Sequence, residues 1–177
     1  MTTAANQSRY QVRFDWGIEG ARAIADGAHI VVWVDALPGG DTDPLALAAG
    51  PAIVSGSIGS RTAVADWVLA RQTELGDRAY VAVVAAGGPA GRFAVEDLVA
   101  AGAVIDALAD VGLDYTSPEA AAAAGAFAAL RNAGSHVLSA SVSGQELLEV
   151  DPAALDAARA ASASTELGVL REFRLPA

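Results

Sequence analysis

The feature that most constrains the fold is a strand, a glycine turn and a helix in direct succession within the segment Val81 to Ala103. Residues 79–86, Ala-Tyr-Val-Ala-Val-Val-Ala-Ala, form a continuous apolar run that is typical of a strand covered on both faces. Gly87 to Gly91 follow as a turn, and the segment from about Ala94 to Ala109 predicts a long helix. This succession is typical of α/β proteins.

The same succession occurs once more upstream. Pro51 to Val54 is short and apolar, Ser55 to Ser60 is rich in glycine and serine, and apolar residues from Arg61 to Ala70 recur at helical spacing. His29 to Val34 is another continuous run of β-branched and aromatic residues, which indicates a further buried strand. Alternation of this kind predicts parallel or mixed strands joined by right-handed crossovers, with helices on both faces of the sheet.

Further elements are predicted on either side of these units. Tyr10 to Asp15 alternates apolar and polar side chains, which predicts a strand with one wet face at a sheet edge. Ser117-Pro118-Glu119 and Asp151-Pro152 each carry the signals of a helix start. Glu166 to Phe173 predicts a final strand. Nothing in the length of 177 residues asks for a second domain, so we expect one α/β domain over residues 1–177.

Composition excludes several classes of function. The formal net charge of -10 opposes attraction to nucleic acid or to an anionic membrane surface. Hydrophobic residues make up 53% of the chain, but no stretch approaches the ~18 uninterrupted apolar residues that a membrane-spanning helix needs. The polar N-terminus lacks the pattern of a secretory signal. We therefore expect a cytoplasmic protein with no nucleic-acid partner and no membrane partner.

The scarcity of soft ligands limits the metal chemistry that is open to this chain. Without cysteine there are no disulfides, thiolate nucleophiles or cysteine-based zinc sites. His29 and His136 are too few for a histidine-rich metal site, and no Ser-His-Asp triad can be assigned, so both are expected to be structural. A bound metal would have oxygen ligands, which favours Mg²⁺ over zinc.

Candidate site residues follow the predicted strands, because ligands of open parallel sheets bind outside the carboxyl ends of strands. Asp35 follows one buried run and precedes a predicted loop, Ala36 to Pro44. Glu96 and Asp97 fall in the first turn of their helix, where they could bind a Mg²⁺ that itself binds a phosphate. They could also do no more than complement the helix dipole, and Asp35 could simply cap its loop.

Two glycine-rich turns are candidates for binding an anion, since glycines let backbone N–H groups approach it and a following helix adds partial positive charge. The candidate residues in these turns are Gly59, Ser60, Arg61, Gly87 and Gly88. Neither turn matches the dinucleotide or Walker phosphate pattern, so both could be turns that only start helices, with Arg61 solvated. Ser143 could likewise line a site or form a turn.

Taken together in chain order, the predicted strands, turns and helices resemble those of the 2-phosphosulfolactate phosphatase (ComB) family over most of the chain. The most specific part is Val83-Val-Ala-Ala-Gly87 with residues 91–103, which is similar to the family's strand, glycine turn and Glu-Asp-containing helix. Ser143-Gly-Gln-Glu-Leu-Leu148 resembles its serine-glycine segment. Arg13-Phe-Asp-Trp-Gly17 and residues 31–37, Val-Val-Trp-Val-Asp-Ala-Leu, look like its opening strands.

The resemblance implies a three-layer α/β/α sandwich with a mixed, largely parallel sheet. It also implies Mg²⁺-dependent hydrolysis of a phosphate ester of a small anionic acid. In that case Asp35, Glu96 and Asp97 would hold the metal and carry the catalysis, while Arg61, the N–H groups of the turns and Ser143 would bind the phosphate. A homodimer is a further implication, for which the sequence itself shows no interface.

Two departures from the family pattern define an alternative. The family's strand that ends in aspartate continues into a basic or hydroxyl-rich stretch, whereas Asp35 is followed by Ala36-Leu-Pro-Gly-Gly-Asp-Thr-Asp43. The stretch from Asp43 to Ile53 takes the place of a much longer segment. A fold can survive the loss of its chemistry. The alternative is therefore a catalytically inactive relative that binds a small anion or a protein partner.

Overall fold

The computed structural model describes residues 4–37 and 43–175. Within these residues the sheet has five strands: Val12–Trp16 (β1), Ile30–Val34 (β2), Ala52–Ser55 (β3), Val81–Ala85 (β4) and Gly168–Arg171 (β5). Their order is β1-β4-β2-β3-β5. The first four strands are parallel, and β5 pairs with β3 in the antiparallel direction. The predicted mixed, largely parallel sheet is confirmed.

The same part of the chain contains seven α-helices. They are Gly17–Ile24 (α1), Arg61–Leu75 (α2), Val95–Asp110 (α3), Pro118–Leu130 (α4), Gly134–Ala140 (α5), Val142–Val150 (α6) and Pro152–Ala163 (α7). Short 3₁₀ turns occur at Pro44–Ala46, Pro89–Gly91 and Arg131–Ala133. None of the described helices combines the length and the apolar character that crossing a membrane would need.

Helices cover both faces of the sheet, as predicted, but the two layers are unequal. Helices α2, α3 and α4 pack on one face, where Val64 and Val104 join Val32 of β2 in the main core. Helix α1 covers the other face, where Ile24 packs with Trp33. One helical layer therefore carries three helices and the other a single short one, and together they bury all five residues of β2 and of β4.

Two predicted helix starts are confirmed by their capping bonds. The Ser117 hydroxyl accepts a hydrogen bond from the N–H of Ala120 at 3.1 Å, where α4 begins. The Asp151 carboxylate accepts one from the N–H of Ala154 at 3.0 Å, where α7 begins. These side chains satisfy N–H groups that have no partner within the helix.

The prediction of a wet face on β1 is wrong, although β1 does lie at an edge of the sheet. Arg13 is only 2% exposed. Its Nη1 donates to the carbonyl oxygens of Ile24 at 2.9 Å and Asp26 at 2.7 Å, at the end of α1. Because the last carbonyls of a helix have no partner within it, a buried guanidinium can satisfy them. The polar residue of the alternating pattern is thus a capping group and not a solvated one.

The last three helices lie over the carboxyl end of β2. Leu37, two residues beyond Asp35, packs with Leu138 of α5 and with Leu155 and Ala158 of α7. This small apolar cluster is separate from the main core. It places α5, α6 and α7 above the edge of the sheet at which ligands of parallel sheets bind.

Strand β5 lies at the other edge of the sheet and reaches far back along the chain. It pairs with β3, so that Ser55 lies opposite Gly168. The guanidinium of Arg171 donates to the carbonyl oxygens of Leu45 at 3.2 Å, Leu47 at 2.9 Å and Ala48 at 2.9 Å. The strand is therefore attached both to the sheet and to the segment that leads into β3.

Candidate active site

The predicted acidic residues lie where two neighbouring parallel strands end. Asp35 directly follows β2, and Gly87 and Gly88 follow β4, which pairs with β2. Glu96 and Asp97 lie in the first turn of α3. Helix α3 begins close to the end of β4, so its first turn lies at the same edge of the sheet.

Asp97 joins the two strand ends to the start of α3. It is 2% exposed, and its Oδ1 accepts a hydrogen bond from the N–H of Ala36 at 2.8 Å. Its Oδ2 accepts one from the N–H of Gly87, also at 2.8 Å. Each carboxylate oxygen has two lone pairs, so these bonds leave one on each oxygen. Asp97 therefore has a structural function, whatever further ligand it binds.

Glu96 differs from its neighbour in having an unused oxygen. The residue is 3% exposed, and its Oε2 is buried without a hydrogen-bond partner in the described ranges 4–37 and 43–175. A buried carboxylate oxygen that has lost its water and gained no partner is unfavourable. The carboxyl end of the sheet therefore contains an acceptor that a bound cation or proton donor could satisfy.

Two of the acidic groups, Asp35 and Asp97, have a raised pKa. Burial raises the pKa of Asp97 to about 7, while the N–H groups of Ala36 and Gly87 lower it and the charges of Asp35 and Glu96 raise it. Desolvation by surrounding atoms, followed by the charge of Glu96, raises the pKa of Asp35 to about 6, although the residue as a whole remains exposed. Negative charge is therefore concentrated here, and a cation would relieve it.

A cavity of about 210 Å³ opens beside Glu96, between the turn after β4 and α6, and we call it the Glu96 cavity. The predicted site residues that line it are Gly87, Gly88, Glu96, Asp97 and Ser143. This volume is below the usual range of about 300–1,000 Å³ for ligand pockets, so it suits only a small molecule.

Asp35 and Ser60 line a second cavity, of about 420 Å³, which we call the Asp35 cavity. The two cavities adjoin after β2, because Ala36 lines one and Leu37 the other. The hydroxyl of Ser60 accepts the N–H of Ser57 at 3.0 Å and also contacts the Ser57 hydroxyl. The structure thus divides the predicted site between two adjoining openings.

Gly59 and Arg61 line neither cavity among the described residues. The N–H of Gly59 donates to the carbonyl oxygen of Ser162 at 2.8 Å. A Cβ at position 59 would lie 2.4 Å from the carbonyl oxygen of Ser164. Arg61 donates to the carbonyl oxygen of Ile58 at 2.5 Å. The end of α7 therefore occupies the space beside the first predicted anion-binding turn.

The N–H groups of the second glycine turn also have partners inside the protein. Gly87 donates to Asp97, as described above, and Gly88 donates to the carbonyl oxygen of Arg92 at 2.8 Å. A phosphate would have to replace these acceptors in order to bind the two N–H groups. Of the predicted groups that line the Glu96 cavity, this leaves the hydroxyl of Ser143 without such an obstacle.

Arg92 is a residue of this cavity that the sequence did not single out. Its Nη1 donates to Oε1 of Glu146 at 2.7 Å, and its Nη2 donates to Oε2 at 2.5 Å. Both residues line the Glu96 cavity. The sequence signal for Arg92 is a cationic residue in a glycine turn just before the acidic start of a helix. That signal does not reveal its partner, because Glu146 lies 54 positions away on α6.

The comparisons with known proteins agree with the resemblance found in the sequence. The family model of 2-phosphosulpholactate phosphatase matches residues 42–165, which is more than two thirds of the chain. The match includes the second glycine turn, Glu96, Asp97 and Ser143, whereas Asp35 precedes it. No curated protein matches the chain. The extent of the family match shows that the chain belongs to the 2-phosphosulpholactate phosphatase family.

Proposed function

We propose that this protein is a Mg²⁺-dependent phosphatase that hydrolyses a phosphate ester of a small anionic acid at the Glu96 cavity. The observation that carries the proposal is the buried Oε2 of Glu96, which has no hydrogen-bond partner among the described residues, on a residue that lines the cavity. Family membership supports the reaction class. The volume of the cavity supports a small substrate.

Glu96 and Asp35, which line the two adjoining cavities, are the residues that we expect to hold the metal. Within the described parts of the chain, no group of three or more acidic or histidine side chains is arranged to hold a metal ion. Mg²⁺ commonly binds through one or two carboxylates and takes its other ligands from water and phosphate, so this small donor set fits it. When bound, Mg²⁺ would neutralise phosphate charge and polarise a phosphoryl oxygen.

The chain's own residues would shape and orient the substrate. Gly87 and Gly88 form a wall without side chains, which lets a phosphate come close to the backbone. Ser143 offers a hydroxyl from α6 on the same cavity. Asp97 holds the ends of β2 and β4 together and so keeps Asp35 near Glu96. In this proposal the remaining predicted residues, Gly59, Ser60 and Arg61, support the fold beside the site.

A catalytically inactive relative that binds a small anion or a protein partner is the second candidate. The observation that favours it is that the N–H groups of Gly59, Gly87 and Gly88 all donate to acceptors inside the protein. A phosphatase that relied on these donors would lose transition-state stabilisation of about 3 kcal/mol for each missing donor. The homodimer and the cytoplasmic location stay predictions beside either candidate.

The test is release of inorganic phosphate from 2-phosphosulfolactate and from 2-phospholactate by the purified full chain. With Mg²⁺ present we expect turnover that is lost on chelation and restored when the metal is added back. Glu96→Gln should lower kcat by about 10²–10³-fold, as removal of a group that acts on the transition state does. Glu149→Gln, an exposed residue of α6, is the matched control and should retain full activity.

The two candidates predict different results in this assay. No phosphate release by the wild type, together with calorimetric binding of either ester, would replace the phosphatase proposal with the inactive relative. Equal turnover by the wild type and by Glu96→Gln would remove Glu96 from the site.

A further inference from the structure

Arg92 is the one cationic residue among the described residues that line the Glu96 cavity. The same wall carries the acidic residues Glu96, Asp97 and Glu146. A substrate with an anionic group in addition to its phosphate would meet net negative charge here unless a cation received that group. Arg92 is in place to do so.

The position of Arg92 relative to Glu96 is set by its backbone. Its carbonyl oxygen accepts the N–H of Gly88 at 2.8 Å, and its own N–H donates to the carbonyl oxygen of Pro89 at 3.2 Å. An antiparallel bridge between Gly88 and Arg92 closes the turn. The guanidinium is therefore attached to the same short turn that leads into α3, four residues before Glu96.

Glu146, by contrast, belongs to α6 and reaches this turn only through its side chain, which binds Arg92. The side chains of Arg92 and Glu146 are 38% and 56% exposed, and ion pairs as open to solvent as this contribute little stability. Nε of Arg92 is buried without a hydrogen-bond partner in the described residues, so the pair leaves this buried donor of the guanidinium unused. A carboxylate that reached this guanidinium from the cavity could replace Glu146 and gain a further donor.

We propose that Arg92 binds the carboxylate of the substrate, and that Glu146 occupies this position until the substrate replaces it. Arg92 then distinguishes phosphate esters that carry a carboxylate from esters without one. Glu146 presents to Arg92 the same planar group, bound through both oxygens, that the substrate would present. The inference rests on the proposed phosphatase function, because it assigns the second anionic group of the same substrate.

Calorimetry on the full chain measures binding directly and so separates this inference from catalysis. Ca²⁺, which also takes oxygen ligands, replaces Mg²⁺ so that the charge of the acidic residues stays compensated. The probes are 2-phospholactate and ethyl phosphate, a smaller ester that lacks the carboxylate. Arg92→Gln should weaken the binding of 2-phospholactate by about tenfold or more, as the loss of a bidentate charged pair predicts, and leave ethyl phosphate unaffected. Glu146→Gln should strengthen the binding of 2-phospholactate, because it removes the competing carboxylate.

Arg131→Gln and Glu149→Gln are the matched controls, since both residues are exposed and neither lines the Glu96 cavity. Circular dichroism on each variant verifies that the fold is retained. Equal weakening of both esters in Arg92→Gln, weaker binding of 2-phospholactate in Glu146→Gln, or no binding of either ester to the wild type overturns the inference. If the binding pattern holds but phosphate release is absent, the assignment of Arg92 stands and the phosphatase proposal fails.

Discussion

The geometry of the site depends on the carboxylate of Asp97. It accepts the N–H group that follows β2 through one oxygen and the N–H group two residues after β4 through the other. Without it, Ala36 and Gly87 would each lose an acceptor inside the protein. The relative position of the two strand ends is therefore determined by this side chain together with the pairing of β2 and β4.

Replacing Asp97 with alanine is expected to lower the free energy of unfolding by about 2 kcal/mol, because two enclosed N–H groups lose their acceptors. Folding raises the pKa of Asp97 from 3.8 to about 7, so the contribution of Asp97 to the stability of the wild type falls as the pH rises between these values. The loss caused by Asp97→Ala should therefore be larger near about pH 5 than near about pH 8. Urea denaturation at the two pH values measures it.

Asp106→Ala is the control for this prediction, since Asp106 is an exposed residue of the same helix. It should change the free energy of unfolding by less than about 0.5 kcal/mol at either pH. A similar small change in Asp97→Ala would mean that the two N–H groups find other acceptors, and that Asp97 does not organise the site.

The sequence was sufficient to predict that Asp35, Glu96 and Asp97 follow strands of one sheet, because strand and helix patterns determine chain position. It could not separate the roles of Glu96 and Asp97. Adjacent residues of a helix point in different directions, and which of them meets the N–H groups depends on the orientation of α3 on the sheet. The pair of Arg92 and Glu146 was also beyond the sequence, since it joins two elements 54 positions apart.

Among the elements, α3 and α4 form a close helix contact next to the site. A Cβ at Gly102 of α3 would lie 2.1 Å from the carbonyl oxygen of Ala123 in α4. Gly102 therefore lets the two backbones approach each other, and the small side chains of the alanines around it keep the distance between the helices short. Since α3 carries Glu96 and Asp97 in its first turn, this contact also sets the orientation of the acidic residues.

Gly102→Ala is expected to lower the free energy of unfolding by about 1–3 kcal/mol, because the added methyl group forces two packed helices apart. Gly125→Ala is the matched substitution in α4, where nothing lies within 4 Å of the added Cβ. It should instead raise the free energy of unfolding by about 0.8–1 kcal/mol through helix propensity. Thermal unfolding of both variants measures the difference in sign. Stabilisation by both substitutions would show that the helix contact adjusts without strain.

Elements with strong local signals were predicted closely, and those that depend on tertiary packing were not. Strand β2 and helix α4 follow from a continuous apolar run and from the Ser117 cap. Helix α5 ends at Ala140 and α6 begins at Val142, because the Ser141 hydroxyl caps α6 through the N–H of Gly144 at 3.1 Å. This boundary is a single residue, which periodicity alone does not resolve.

At the scale of the whole molecule, the net charge of the protein and the charge of the proposed substrate have the same sign. The chain carries a formal charge of -10, and a phosphorylated organic acid is also anionic. Long-range repulsion therefore slows the approach of the substrate, and salt screens it once the Debye length falls below the size of the protein. The positive charge of Arg92 acts only after the substrate has come close.

We expect kcat/KM for 2-phospholactate, at saturating Mg²⁺, to rise when the ionic strength increases from about 10 to about 150 mM, because the Debye length falls from about 30 to about 8 Å. A variant with Asp106→Asn and Asp110→Asn is the control, since both residues are exposed and lie at the far end of α3 from the site. Its salt dependence should be weaker. A fall of kcat/KM with salt would mean that the field of Arg92 outweighs the net charge.

The overall architecture was the part that sequence predicted best. Alternating strands and helices imply a mostly parallel sheet, and the order β1-β4-β2-β3-β5 with one antiparallel strand agrees with it. The unequal layers were not predicted, because the pattern shows which face of a helix is apolar but not which side of the sheet receives it. Buried Arg13 shows the same limit, since its partners at the end of α1 are defined only in three dimensions.

The pairing of β5 with β3 has a consequence for the synthesis of this protein. Ser55 and Gly168 are 113 positions apart, so β3 leaves the ribosome long before its partner strand exists. Until then the outer edge of β3 exposes unpaired N–H and C=O groups, to which a strand of another nascent chain can add. Completion of the sheet, with Arg171 attached to the carbonyl groups that precede β3, removes that edge. Between the synthesis of these two strands, β3 of the growing chain is therefore open to pairing with a strand of another chain.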